Sequence, residues 1–507
     1  MFLLGRHGQA GQTNAGRQQV SAKTLEDFKR ETDPFYLAQA IGTEFSRELR
    51  PVKRYLITSA QNATPVDTGF WAVLQYMQRH HARRGGCETL VIPTRYKNPT
   101  SVWTGSQKNA EYWAKEVQPL LWNVRHQLNQ NLELLADMPI QPTMAQPLNG
   151  VDAVTKSRSC IVGHAKVHTK TVATPANRMA KLLMTTGSCT VANYSTSRVG
   201  KLGEFHHSLS ALLVEVVDRK RFHMRRLFWD AKTKSVTDFG TRYFADRHEK
   251  APRALAVAMG DWHEGFTDPA VVECTFGDGG IIERTDPEYI VWHDTDDGYP
   301  VNHHHGKNPF NRLAKRASGL DDARAALNRA IDSVRLRSAG RKALVIGSNH
   351  DDFLSKWIIE QDWKADPVNA EFYLETALAM VRGTKMGPSG VEYPSAVPYW
   401  FEKAGIPGVQ MVRESFVLGN VELGMHGHQG PNGARGSIKN LRRIGLKSII
   451  GHSHSPGEDE GCVQVGTSTR LRLEYNHGPS AWLQAHCLLN ADGHRQLLFI
   501  IDGKCAL

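Results

Sequence analysis

Five short segments in the second half of the chain end an apolar, β-branched run with polar, metal-competent side chains, and in four of them a glycine closes the run. They are VAMGDWHEG with Asp261 and His263, YIVWHDTDDG with Asp294, ALVIGSNHDD with Asn349 and His350, VELGMHGHQG with His426, and SIIGHSHSP with His452 and His454. A strand that presents a side chain from its C-terminal end has this pattern. For the five ends to act together they must converge, and neighbouring strands of a sheet bring them to one edge. The pattern predicts an α/β fold with its site along the strand ends.

Asp261 and His263 are two residues apart, so on extended backbone both point to one side. The 33 positions from Asp261 to Asp294 suit a strand–helix–strand crossover that sets the two strands side by side. A carboxylate at Asp294 can then bridge two cations. Asn349 offers a neutral amide oxygen, and His426, His452 and His454 complete a mixed nitrogen and oxygen set. His428 competes with His426, which is preferred as the residue nearer the strand end. Such donors suit manganese, iron or zinc better than a soft thiolate metal, and are rich in histidine for a plain magnesium site. Two cations about 3.5–4 Å apart lower the pKa of a shared water and hold phosphoryl oxygens for in-line attack. His350 is the candidate donor to the leaving oxygen, with Asp351 or Asp297 to orient it. A lone GD or HxH carries little weight, because single histidines are more often structural. The ordered set of five is what points to hydrolysis.

No apolar run approaches the ~20 residues of a membrane span. The opening MFLLGRHGQAG is too short in apolar residues for a signal peptide, so a cytoplasmic protein is expected. The seven cysteines are odd in number and never spaced CxxC, which argues for free thiols. The net charge of +11 is uneven: residues 1–250 carry 35 Lys+Arg against 20 Asp+Glu, residues 251–507 carry 27 against 31. A basic half joined to a slightly acidic one suggests that one holds a polyanion and the other cations, although basic surface is often only solvated.

The 507 residues divide into a helical arm over 1–50, a basic α/β unit over 51–250 and the motif-bearing part over 251–507, with helical insertions at about 318–340 and 353–385. In the basic unit, VKRYLIT and ETLVIP read as strands flanking the helix WAVLQYMQRHHARR, an order that favours a parallel pair. The loops after them hold Gln61, Asn62, Arg95, Tyr96, Lys97 and Asn98, a mix suited to phosphate and base contacts. His206 and His207 read as a structural pair. In NHHHGKNPF, His303, His304, His305 and Lys307 are candidates to reach substrate phosphate. No P-loop, GxGxxG or GxSxG occurs. No internal repeat is visible in the sequence.

The order of the five motifs resembles the calcineurin-like metallophosphoesterases, in particular Mre11-type DNA nucleases, over roughly residues 254–470. The resemblance implies that Asp261, His263 and His454 hold a first metal, that Asp294 bridges, and that Asn349, His426 and His452 hold a second. It makes His350 the catalytic histidine. Two motifs depart from the pattern: His293 stands where the family has glycine, and Ser348 is inserted before Asn349. The implied fold is an α/β/β/α sandwich, preceded here by a separate α/β domain. LITSAQNATPV, IPTRYKNPTS, HGHQGPNGARGS and GHSHSP further resemble the first-step DNA-transfer nucleases of T5-like phages, a family of pre-early, metal-dependent DNases linked to host-genome degradation. That resemblance implies two divalent ions, manganese favoured over magnesium, iron or zinc. It also implies DNA as partner, a homo-oligomer, and action in the host cytoplasm. A small-molecule phosphodiesterase or protein phosphatase is the alternative that the motifs allow, and a non-catalytic DNA-transfer scaffold is the second. The basic half favours DNA.

Overall fold

The computed structural model describes residues 53–97, 112–175, 178–302, 305, 308–387, 390–473 and 476–507. The arm expected over 1–50, and Asn98, His303, His304 and Lys307, lie outside the described residues. The chain is mixed α/β, as its motif pattern predicts.

The predicted β–α–β order of the basic half is present. Strand Arg54–Gln61 pairs in parallel with Cys87–Thr94, and helix Thr68–Ala82 connects them. Asp67 caps that helix by accepting from the Phe70 amide, and Phe70, Leu74 and Met77 recur at helical spacing to meet the sheet. The 33-residue crossover is also present: Ala256–Ala258 runs parallel to Tyr289–His293, with helices Pro269–Phe276 and Ile281–Thr285 between them. The first insertion forms helix Ala323–Arg337. The second is two helices, Asp351–Glu360 and Ala370–Gly383, not one; two short 3-10 turns around Asp362, Asp366 and Pro367 separate them.

A six-stranded sheet carries the motifs. Its order is Val409–Val412, Lys342–Ile346, Tyr289–His293, Ala256–Ala258, Ala485–Leu489 and Arg495–Phe499. Side chains alternate across it. Val257, Ile290, Trp292 and Val345 face the helices, against Leu327, Val334, Phe353 and Phe401. Ala256, Ala258, Val291 and Leu344 face inward to a core that also takes Ile449, Val463, Leu134 and Ile161 from a ten-stranded sheet. Each fully buried Leu, Ile or Val there contributes about 1.5–3 kcal/mol. Two sheets thus pack face to face, with helices outside the six-stranded one.

The ten-stranded sheet crosses residue 250. Its strand order is Val417–Leu418, Val421–Glu422, Lys447–Ile450, Cys462–Gln464, Gly457–Asp459, then His168–Val172, Lys181–Thr185, Ser159–Val162, Leu132–Leu135 and Arg125–Asn129. The two arms meet where Glu458 pairs with Thr169 and Asp459 with His168, antiparallel. The halves distinguished by charge therefore share a sheet and a core, and are not packed as separate units.

Strand order also reveals a repeat that is hidden in the sequence. Read from either end, the ten-stranded sheet runs antiparallel, parallel, parallel, antiparallel toward its centre. In the facing sheets, Arg54–Gln61 lies between a parallel neighbour and the antiparallel hairpin Ser210–Val216/Phe222–Asp230. Ala256–Ala258 lies likewise between Tyr289–His293 and the hairpin Ala485–Leu489/Arg495–Phe499. The two halves follow one topology, joined through equivalent strands as a local twofold would join them.

Candidate metal centre

The strand ends converge. Asp261 follows Ala256–Ala258 and is held by its backbone, which accepts from Ser468 N at 2.8 Å and donates to Gly466 O at 3.1 Å. His263, Asp294, His452 and His454 all adopt positive φ, at 48°, 45°, 80° and 57°. Non-glycine residues there cost about 1–3 kcal/mol each and collect at functional sites. The strain turns the side chains inward, where an extended strand end would send alternate ones away.

Among the described residues, two groups of three or more His, Cys, Asp or Glu bring their donor atoms within 4.8 Å of one another. One is Asp261, His263, Asp294 and His454; the other is His263, Asp297 and His350. His454 Nε2 lies 3.2 Å from Asp261 Oδ2, His426 Nε2 lies 3.2 Å from Asp294 Oδ2, and His263 Nε2 lies 3.5 Å from Asp294 Oδ2. Separations of this size arise between donors that share one cation at about 2.0–2.2 Å. Asp261 Oδ1 and Asp294 Oδ1 are buried and have no hydrogen-bond partner. Unpaired buried carboxylate oxygens are costly unless a cation compensates them, so the residues present fit a metal.

Asn349 and His452 form a second pair, Oδ1 to Nδ1 at 2.9 Å, with the His452 ring 5.4 Å from that of His426. His426 is buried against Asp294, whereas His428 is half-buried and its ring lies 5.4 Å from that of His426. The local field is steep. Burial lowers the pKa of His263 and His426, but Asp294 and the other carboxylates outweigh it and bring both up to about 9. Burial, helped by the neighbouring His426, pulls His452 down to about 4. Asp294 is held well below the usual carboxylate range, since His426, His350 and His263 overcome its burial.

Over 522 residues the chain is 27% identical to Protein A1 of Escherichia phage T5, a match covering 97% of this chain and 90% of that protein. The likeness runs through both halves. No protein-family model matches the chain, and no solved structure does.

His350 precedes helix Asp351–Glu360 and donates from Nδ1 to the Asp297 carbonyl at 2.8 Å. Asp297 is thus the residue that orients it. Asp351 turns elsewhere: its carboxylate accepts from the Ser348 amide at 3.0 Å and closes the turn from Ser348 to Asp351. Burial pushes the Asp351 carboxyl up to about 7. Arg95 and Lys97 sit after strand Cys87–Thr94 in the N-terminal half, Arg95 with its guanidinium 5.9 Å from the Trp113 ring. His305 packs against Tyr299. His207 bonds the Thr190 carbonyl and Tyr194, a structural histidine as its sequence context predicts.

Three residues at the centre have roles that the motifs do not announce. Asp297 Oδ1 lies 2.8 Å from His263 Nδ1, which leaves His263 Nε2 for the cluster. The acidic run DTDDG was the available signal. His293 sets its Nδ1 3.4 Å from His426 Nδ1. Trp482 packs its ring 4.1 Å from that of His454 and has no motif signal at all.

Proposed function

We propose that the chain is a metal-dependent DNase, hydrolysing phosphodiesters on the calcineurin-like metallophosphoesterase plan with two divalent ions, manganese favoured. The observation that carries the hydrolase reading is the buried set Asp261, His263, Asp294 and His454 with carboxylate oxygens left without donors. Asp261, His263 and His454 are the residues to hold one ion, Asn349, His426 and His452 the other, with Asp294 between them. Bound there, the ions supply a hydroxide near neutral pH and neutralise phosphoryl charge. The chain's own residues do the rest. Asp297 fixes the ring of His263 through Nδ1. The Asp297 carbonyl fixes His350 in the same way, so that its Nε2 is the atom free to give a proton to the leaving oxygen.

DNA as substrate rests on charge and on resemblance. Residues 51–250 carry 28 Lys+Arg against 14 Asp+Glu, which a small phosphoester does not require. The likeness to a phage protein fits action in a host cytoplasm during infection. Among the described residues no helix is long and apolar enough to cross a membrane. The test is incubation with linear and closed circular DNA under Mn, Mg and Zn, with sizing of the products. Folded Asp261→Ala and His350→Ala proteins that cut as fast as wild type would sink the reading.

A further inference from the structure

We infer that residues 54–250 are a second copy of the sandwich whose metal centre has been dismantled, so that the chain holds ions in its C-terminal half alone. This rests on the proposed function only in taking the C-terminal cluster as an ion site.

Backbone hydrogen bonds align the strand ends of the two copies. Ser59 N donates to Gly187 O and Cys189 N to Ser59 O, at 3.2 and 2.8 Å. Asp261 N donates to Gly466 O and Ser468 N to Asp261 O, at 3.1 and 2.8 Å. Asp67 N then bonds Cys189 O, and Asp268 N bonds Ser468 O, both at 2.9 Å. Asp67 and Asp268 each cap the next helix. In the other sheet, Thr186 N bonds Val162 O at 3.1 Å and Val465 N bonds Ile450 O at 2.8 Å. Gly163 and His164 therefore occupy the places of Gly451 and His452, and Lys166 follows His164 at the spacing at which His454 follows His452.

The alignment shows what each ligand has become. Ser59 stands for Asp261, Gln61 for His263, His164 for His452 and Lys166 for His454. Every replacement is satisfied without an ion. Ser59 Oγ donates to Gly187 O at 2.6 Å. Gln61 donates to the Asn193 carbonyl and accepts from the Asn193 amide, at 2.8 and 3.2 Å. His164 accepts from Lys166 N through Nδ1 and donates from Nε2 to Gln141 O, at 3.0 and 3.2 Å. Neither candidate ligand group among the described residues includes a residue of this half. The contrast with the orphaned oxygens of Asp261 and Asp294 is direct.

Lys166 has taken up a new task. Its buried ammonium meets Asp459 at 2.8 Å and Glu460 at 3.2 Å, beside the antiparallel pair that joins the halves. A cation that belongs to the chain sits where a metal ligand stands in the other copy, and it ties the copies together.

The test is to locate manganese in the wild-type protein by anomalous diffraction, and to count ions per chain by mass spectrometry in three proteins. These are the wild type, Asp261→Asn/His454→Ala, and Gln61→Ala/His164→Ala. Expected are anomalous peaks only among Asp261, His263, Asp294 and their neighbours, a fall in manganese content in the first variant, and wild-type content in the second. A peak beside Ser59, Gln61 and His164, or manganese retained by the first variant and lost when the second pair of substitutions is added, overturns the inference. A wild type that takes up no manganese sinks the proposed hydrolase and overturns the inference with it, whereas a peak in the N-terminal half overturns the inference alone.

Discussion

The imidazoles of His263 and His454 face each other, Nε2 to Nε2, at 3.0 Å across 191 residues of sequence. Without a cation one of these nitrogens must carry a proton to meet the other's lone pair; a cation takes both lone pairs. Metal binding is therefore expected to stabilise the fold. Saturating manganese at 100 times its dissociation constant contributes about 2.7 kcal/mol. Thermal unfolding of stripped protein should shift upward on adding manganese, and His454→Ala should reduce the shift. An unmoved wild-type transition would contradict the site.

Gly451 is set by the carboxylate beside it. A Cβ at this position would stand 2.3 Å from Asp261 Oδ1 and 3.0 Å from the His293 ring. Gly451→Ala should displace Asp261 and weaken manganese binding by about 10–100-fold, the usual cost of disturbing a ligand's support. Isothermal titration measures this, and an unchanged affinity counts against Asp261 as a ligand.

His350 is anchored by Asp297 and stands outside the main cluster. His350→Gln is expected to lower kcat on DNA by about 10²–10⁴-fold with metal content intact. Equal loss of bound manganese would make His350 a ligand and not a proton donor.

Lys166 is 3% exposed in its side chain and pairs with two acids of the other half. Lys166→Met leaves those carboxylates short of a partner, although Arg442 also reaches Asp459 and Glu460. A loss of about 3 kcal/mol follows from breaking a buried pair on one side. Urea unfolding would show it, and a loss under half a kilocalorie would remove the seam from the account of stability.

Buried neutral histidines make the fold acid-sensitive. Burial holds both His164 and His486 at about 4, against 6.5 in the unfolded chain. The unfolded state binds protons first as pH falls, so stability drops between about pH 6.5 and 4, by about 3 kcal/mol for each group. Above pH 6.5 neither contributes. Urea midpoints from pH 7.5 to 4.5 should fall over this window, and a flat profile would contradict the burial of these rings.

Much of the C-terminal half is legible in sequence because its signals are local. An apolar run such as YIVW, a turn after it and a carboxylate at Asp294 mark a strand end wherever they occur. The crossover length predicts the parallel pairing of Ala256–Ala258 with Tyr289–His293. The role of Asp351 was not legible, because whether it turns to His350 or to Ser348 depends on how the loop from Ser348 to Asp351 folds.

The sequence by itself determined which residue types stand at the strand ends, a donor set suited to a metal ion. Tertiary structure alone decided that the chain is one motif built twice. The copies agree in backbone hydrogen bonds, which any residue can make, and differ in the side chains that a sequence displays: Ser59 for Asp261, Lys166 for His454. Once the ion was gone, nothing held those side chains to their original chemistry, while the shared core still held the strands to their original order.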